Sequence, residues 1–245
     1  YADILAGAPE YVTGRQEEWK AFLATAARNY KYPYYDQLMI YLQRPEATAC
    51  AEYDFWFDAM HRYVKRGAKG IALVDNEGDS PRLRYVFDVA DTGARSNSRP
   101  VWLWQMKEEY RNPVMAALER AYGVSGENLS LEAQLEQVAG RLAADYWMDY
   151  GRQISGIVAD SFLEEYDEFN IGIAFRKAVQ ASIVYTLSVR CAEDTESQFE
   201  PEDFRDVSDF NTRQTAAALG TAVSSLSGEV FREIERAIRD YERTK

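Results

Sequence analysis

Residues 71-IALVD-75 and 83-LRYVFDV-89 decide the fold class, because they are the clearest strand-like segments of this 245-residue chain. Both are short and apolar, and the turn-forming residues 76-NEGDSPR-82 separate them. This arrangement predicts a β-hairpin. Beyond about Trp104 the apolar residues recur at helical spacing instead. We therefore expect an α+β N-terminal domain, with helices plus a β-hairpin or small antiparallel sheet, followed by an all-α helical region.

Helices are expected on both sides of the hairpin. Before it, the apolar spacing and the breaks at Pro33 and Pro45 predict helices over 15–30, 34–44 and 53–63. A loop is expected over 91–100, where turn-forming residues cluster. After the loop, helices are expected near 106–122, 130–166, 169–192 and 212–243. Gly151 or Gly156 is the place where the second of these would break.

The last predicted helix carries a regular apolar series in a/d-like positions, formed by Leu219, Val223, Leu226, Val230, Ile234 and Ile238. Packing of this series into a bundle with helices 130–166 and 169–192 is its simplest explanation. A seam between two copies of the chain is the alternative. We therefore expect a monomer rather than a homodimer.

Charge divides the chain near the same place as secondary structure. The whole chain has 28 Lys+Arg and 40 Asp+Glu. Residues 1–105 hold 13 Lys+Arg and 14 Asp+Glu, and residues 106–245 hold the remaining 15 Lys+Arg and 26 Asp+Glu. The net charges are therefore −1 and −11, which sum to the −12 of the whole chain. This asymmetry predicts two domains, 1–105 and an acidic helical bundle over 106–245.

Several classes of protein are excluded or disfavoured by the same inspection. No apolar run approaches the roughly 18 residues that a membrane-spanning helix needs, so no membrane partner is expected. The start has no signal-peptide pattern, and Tyr1 in place of Met suggests a fragment of something longer. Cys50 and Cys191 lie far apart and form no CxxC motif, so a reducing, cytoplasmic location is expected.

Catalytic and metal-binding motifs are missing. His61 is the one histidine, which excludes HExxH and any site with two histidines. The chain has no P-loop, GxGxxG or GxSxG pattern. The acidic pairs Glu164/Glu165 and Asp203/Asp206 are interpreted as solvated helix faces, with a cryptic hydrolase as the alternative. We therefore expect a protein that is not an enzyme and that holds no cofactor or metal.

The segment 61-HRYVKRGAKG-70 concentrates four Lys/Arg on what the pattern predicts to be a turn, within a region where basic and aromatic residues alternate. Such mixtures bind single-stranded nucleic acid, because flat rings stack on unpaired bases and Lys/Arg follow the phosphates. Gly67 and Gly70 would let the backbone approach a phosphate closely. The alternative is an ordinary fold, with aromatic side chains in the core and a solvated turn.

A series of spaced residues within 36-DQLMIYLQRPEATACAEYDFWFDAMHRYVKRGAKGIALV-74 and 85-YVFDVADT-92 sharpens this hypothesis. The residues are Leu38, Ile40, Gln43, Pro45, Ala47, Thr48, Trp56, Arg62, Val64, Lys65, Gly67, Lys69, Gly70, Ile71, Val86, Phe87, Asp88, Val89 and Thr92. The series resembles the N-terminal domain of ArdC-type antirestriction proteins over roughly residues 15–105. The resemblance implies a single-stranded-DNA-binding domain of plasmids, phages and conjugative elements.

The chain also departs from that family. Asp36 stands where the family usually has Asn, and Met60 and His61 precede Arg62 where the family usually has Gly. ArdC-type proteins continue into a zinc metallopeptidase-like domain with HExxH, which is lacking here, so no peptidase activity is carried over. Related domains open large helicase/methyltransferase polypeptides, whose other domains are therefore possible partners of this one.

We predict a non-enzymatic single-stranded-DNA-binding module of a mobile genetic element. The predicted stacking residues are Tyr32, Tyr34, Tyr35 and Trp56. The predicted phosphate contacts are Arg62, Lys65, Arg66 and Lys69, with Arg44, Arg82 and Arg84 as secondary candidates. The alternative function is an acidic protein-interaction or DNA-mimic antirestriction surface on 106–245, because a dense row of carboxylates can imitate DNA charge.

Overall fold

A computed structural model describes residues 2–75, 80–191 and 199–245. The first part contains helices α1 (Ala2–Thr13), α2 (Gln16–Arg28) and α3 (Tyr34–Gln43), followed by strands β1 (Cys50–Glu52), β2 (Tyr63–Val64), β3 (Ile71–Asp75), β4 (Arg82–Asp88) and β5 (Thr92–Gly93). The second part contains α4 (Glu108–Tyr122), α5 (Leu131–Ser155), α6 (Glu168–Cys191) and α7 (Arg213–Arg243). The predicted fold class, α+β followed by all-α, is confirmed.

Most predicted helices are present with small shifts of their ends. The four helices expected after residue 105 correspond to α4, α5, α6 and α7, but α5 ends at Ser155, directly before Gly156, so the expected helix 130–166 is absent over 156–166. Among the described residues, three helical elements were not predicted, namely α1, which contains Pro9, and 3₁₀ helices over Val89–Asp91 and Pro201–Asp209. The apolar series of α7 is buried in the chain's own core, as a bundle requires.

The helix expected over 53–63 is found only in its first part. Residues 53–59 are helical, with a π-helical turn over Phe55–Ala59, and the chain then enters β2. His61 ends the helical path because its φ of 54° is left-handed. The backbone N–H of Arg62 then donates to the Trp56 carbonyl, 2.8 Å away, instead of continuing a helix.

The predicted hairpin pairs β3 with β4, and β1 adds to the other edge of β4, so the antiparallel order is β1-β4-β3. Its connection was predicted over 76–82, of which 76–79 lie outside the described residues. A second, two-stranded sheet pairs β2 with β5. β5 falls within the expected loop 91–100, so that expectation was wrong for Thr92 and Gly93.

One face of the three-stranded sheet covers α3 and forms a small core of Met39, Ile40, Ala47, Ile71, Leu73 and Val86. A much larger core joins α1, α2 and α3 to the helices after residue 105. Within it, the buried Trp19 indole N–H of α2 donates to Ser182 Oγ of α6 at 2.9 Å. Hydrophobic packing is therefore continuous across residue 105, which marks a change of composition rather than a gap between two cores.

None of the described helices is both long enough and apolar enough to cross a membrane.

Candidate nucleic-acid interface

The four predicted stacking residues differ widely in exposure. Trp56 is 2% exposed and its indole N–H donates to the Phe87 carbonyl at 2.8 Å, while Tyr34 is 3% exposed. The half-buried Tyr32 donates its hydroxyl to the Cys50 carbonyl at 2.9 Å. Tyr35, at 42%, is the one of the four that is largely open to solvent. Trp56 and Tyr34 are thus placed in the core, where an incoming base cannot reach their faces.

Two of the predicted basic residues are neutralised by carboxylates. Arg84 makes ion pairs with Asp36 at 2.5 Å and with Glu52 at 3.1 Å. Arg44 makes ion pairs with Asp91 and, at 3.2 Å, with Glu46. Their positive charge is therefore largely compensated before any phosphate arrives.

The Arg84–Asp36 pair also accounts for the unusual Asp36. Burial raises the pKa of the Asp36 carboxyl above its ordinary value, and the adjacent Arg84 opposes that rise. Asp36 therefore has a local charge partner, Arg84, in this chain.

The predicted turn has the geometry that its glycines suggest. The Ala68 N–H donates to the Lys65 carbonyl at 3.1 Å, and Gly67 has a φ of 85°, which fits the third position of a type II β-turn. Gly70 has a different role from the predicted one. Its φ is not in the left-handed region, but a Cβ there would come within 3.1 Å of Tyr85 and 3.2 Å of Phe87.

Three cations of this turn, Lys65, Arg66 and Lys69, are exposed, and we call them the basic turn. The Lys65 ammonium donates to the Ala90 carbonyl at 2.9 Å. Within residues 2–75, 80–191 and 199–245, none of the three makes an ion pair with a carboxylate. Their charge is therefore available to a phosphate.

The two remaining basic candidates flank this turn differently. Arg62 is half-buried, and its Nε donates to Thr92 Oγ1 at 2.7 Å, which ties β2 to β5. Arg82 is exposed at the start of β4. Arg62 thus supports the frame of the turn, whereas Arg82 lies on the hairpin.

Three exposed rings that were not chosen as site residues lie close together before the basic turn. Tyr53, Phe57 and Tyr63, which we call the aromatic face, are 39% to 49% exposed. The Tyr53 and Phe57 rings are nearly parallel, with centroids 5.9 Å apart and an interplanar angle of 11°. The Arg95 guanidinium lies 4.9 Å from the Phe57 ring centroid and 5.9 Å from that of Tyr63, and so connects the two rings.

Strand β2 joins the aromatic face to the basic turn. The Tyr63 ring lies directly against Gly93 of β5, where a Cβ would fall 2.3 Å from the ring. Two residues further on, the Lys65 N–H donates to the Asp91 carbonyl at 2.8 Å, so the extended pairing continues past β2. Side chains two apart on a strand share one side, which places Tyr63 and Lys65 together.

The sequence contains a signal for the aromatic face. Tyr53 and Phe57 are four residues apart, a spacing that brings two side chains together on one face of the helical segment 53–59. Asp54 and Asp58 are also exposed in this segment, so the positive charge is concentrated in the basic turn and Arg95.

No known protein-family model matches the chain. Searches among curated proteins and among solved structures likewise find no match. Among the residues that the structure describes, no cluster of three or more His, Cys, Asp and Glu side chains is arranged to hold a metal ion.

Proposed function

We propose that this chain is a non-enzymatic module that binds single-stranded DNA, acting in the cytoplasm as part of a mobile genetic element. The observation that supports this most is the continuity of exposed rings with uncompensated cations. The Tyr53 ring contacts the Phe57 ring, and the Arg95 guanidinium links Phe57 to Tyr63. Strand β2 then connects Tyr63 to the basic turn.

The chemistry of that surface favours a single strand over a duplex. In a duplex the bases are stacked on each other, so their faces are not available to protein rings. In a single strand each base can stack on an exposed aromatic ring, which contributes about 1–3 kcal/mol per base. The basic turn would hold the backbone that links the stacked bases.

The ArdC-type resemblance adds support, because the residues that carry it build the frame of this surface. The Asp88 carboxylate accepts hydrogen bonds from the backbone N–H groups of Thr48, Ala49 and Ala90 at 2.6 to 2.9 Å. His61 adopts a left-handed φ of 54° at the position where the family usually has Gly. A backbone that favours glycine at this point is what a family motif with Gly would require.

The test is fluorescence anisotropy of a labelled oligothymidine with the full chain and a triple variant, Lys65→Gln, Arg66→Gln and Lys69→Gln. The variant should bind much more weakly at low salt, because three phosphate contacts are lost. The matched control neutralises three exposed arginines of the helical part, Arg120→Gln, Arg205→Gln and Arg213→Gln. Its affinity should equal that of the wild type because no DNA-contacting charge is removed, or fall slightly because the protein becomes more negative.

Salt dependence gives the number of contacts directly. Three phosphate contacts to a single strand predict a slope of log K against log salt of about −2, at about −0.7 for each contact. A rise from about 50 to about 200 mM salt would then weaken binding about 20-fold. Oligothymidine that does not bind at low salt, or a triple variant with the wild-type slope, would rule out the proposed function.

A further inference from the structure

A second candidate binding site lies away from the aromatic face. A cleft of about 480 Å³ opens between the end of α2, the residues leading into β1, the segment 102–107 and the end of α6. None of the residues of the aromatic face or the basic turn lines it. Pockets that bind small molecules typically have volumes of about 300–1,000 Å³, so this cleft is large enough for one.

The cleft is positively charged although the chain is acidic. Its lining contains Arg28, Lys31, Lys107, Arg111 and Arg190 and only two carboxylates, Glu108 and Glu235. The carboxylates are each engaged by one of these cations, Glu235 by Lys31 at 3.0 Å and Glu108 by Arg111 at 2.9 Å. Arg28, Lys107 and Arg190 therefore remain without an ion pair to either of these carboxylates.

Two of those three cations are held by backbone carbonyls. Arg28 donates to the Ala47 carbonyl at 2.9 Å and to the Pro45 carbonyl at 2.5 Å. Arg190 donates to the Trp104 carbonyl at 2.7 Å. Neither makes an ion pair within the described ranges 2–75, 80–191 and 199–245.

Such positions are costly without an anion. Burial lowers the pKa of both guanidinium groups, and it outweighs the attraction of Asp88 and Glu46 for Arg28 and of Glu235 for Arg190. A charge withdrawn from water in this way is normally paired with an opposite charge. An anion in the cleft would supply that partner, and guanidinium groups suit phosphate in particular.

The cleft also offers flat rings and a free acceptor. Trp102 and Tyr32, both half-buried, contribute to its lining, whereas the buried Trp104 ring is covered by the Arg190 guanidinium, 3.8 Å from its centroid. Asn29, which also lines it, is 3% exposed and donates its amide hydrogens to the carbonyls of Thr25 and Ala47, both at 3.1 Å. Its Oδ1 is left without a donor among the described residues. That oxygen can accept a hydrogen bond from an amino group of a ligand.

We propose that this cleft binds a nucleoside phosphate. The cations would hold the phosphate, Trp102 and Tyr32 would pack against the base, and Asn29 Oδ1 would accept from an exocyclic amino group. Ligands with only one of these features would leave part of the lining unused. This site is independent of the DNA surface and does not require that the proposed function is correct.

The two cysteines of the chain both line the cleft, but they add no covalent chemistry. Burial raises the pKa of Cys50 and of Cys191 to about 12. The thiols therefore stay protonated near neutral pH, and a protonated thiol is a poor nucleophile. The proposal is accordingly one of reversible binding.

Isothermal titration calorimetry of the full chain with AMP, adenosine and inorganic phosphate tests the proposal. AMP should bind more tightly than either of its halves, because it alone can use both the cations and the rings. No heat with AMP at millimolar concentration would overturn the proposal. So would AMP affinity no greater than that of adenosine or of phosphate.

Gln105 provides a charge test that leaves the core intact, because it lines the cleft and is exposed. The isosteric Gln105→Glu should weaken AMP binding about 4-fold or more, and Gln105→Lys should strengthen it by a similar factor. Neither change should alter oligothymidine binding, and Lys69→Gln should leave AMP binding unchanged. Equal AMP affinities of Gln105→Glu and Gln105→Lys would place the ligand elsewhere and refute the site.

Discussion

Replacing two rings of the aromatic face should separate DNA binding from folding. In the double variant Phe57→Leu/Tyr63→Leu, leucine keeps most of the apolar volume but has no flat face for a base. Phe57 and Tyr63 are 39% and 43% exposed, so part of each ring packs on the protein and part is open. We expect the loss of folding stability to be about 1 kcal/mol per site, since the substitutions nearly conserve volume.

The loss of binding should be larger. A stacked base contributes about 1–3 kcal/mol, so each substitution should weaken oligothymidine binding about 5- to 150-fold. If the two rings act on separate bases, the double variant should lose at least about 30-fold. Anisotropy at constant low salt measures this loss, and thermal unfolding followed by circular dichroism checks the fold.

The matched control carries the same type of change at equally open rings in the helical part. Phe162 and Phe169 are 67% and 71% exposed. The variant Phe162→Leu/Phe169→Leu should bind oligothymidine as the wild type does. A folded Phe57→Leu/Tyr63→Leu protein with wild-type affinity would show that these rings do not contact bases, and the stacking argument would fail.

Three further predictions concern stability. Burial would raise the pKa of Glu235, but hydrogen bonds from Tyr30 and Lys31 outweigh it and the pKa is lowered. The stabilisation that the ionised Glu235 provides should therefore be complete above its ordinary pKa of 4.5 and be lost as the pH falls below it. The free energies of unfolding of Glu235→Gln and of the wild type, measured by chemical denaturation, should therefore differ near neutral pH and converge in acid. His61→Gly should raise the unfolding free energy by about 0.5–1 kcal/mol, because relief of a left-handed residue outweighs the extra entropy of glycine, and a lower melting temperature would contradict it. Gly220→Ala should destabilise by about 1–3 kcal/mol because its Cβ would lie 2.1 Å from the buried Tyr34 ring, whereas Gly7→Ala, with no neighbour within 4 Å, should stabilise the helix by about 0.5–1 kcal/mol.

Sequence patterns predicted the elements whose signals are local. The helix expected over 212–243 is found at Arg213–Arg243, and the hairpin strands lie within a residue of their predicted ends. The pattern of α7 arises because its apolar series is buried, and that of the hairpin because Ile71, Leu73 and Val86 are buried. The pairing of β2 with β5 could not be predicted in this way, since each strand has two residues and finds its partner about 30 positions away.

Neighbouring residues show why the site was predicted only in part. Trp56 and Phe57 are adjacent and both aromatic, yet Trp56 is buried and Phe57 is exposed. The difference depends on the Trp56 indole N–H reaching the Phe87 carbonyl, 31 positions away. Likewise Arg66 stays uncompensated among the described residues whereas Arg84 is paired with Asp36, 48 positions away. Charge type is visible in a sequence, but its compensation by distant residues is not.

The acidic helical part has a physical consequence for the proposed DNA site. Its net charge of −11 repels a phosphate backbone, whereas residues 1–105 are nearly neutral overall and carry the basic turn. Hydrogen bonds connect the two parts: the Tyr30 hydroxyl donates to Glu235 of α7 and accepts from the Trp104 indole at 3.2 Å.

Since surface charges act over about 8–10 Å at physiological salt, the repulsion does not cancel the basic turn but makes the rest of the molecule unattractive to DNA. The acidic bundle would therefore restrict a strand to one face rather than compete with it. This restriction depends on the shared core, since residues 1–105 alone would lose the α6 partner of Trp19 and expose the interior of α2. The proposed DNA binding would consequently depend on the whole chain rather than on residues 1–105 alone.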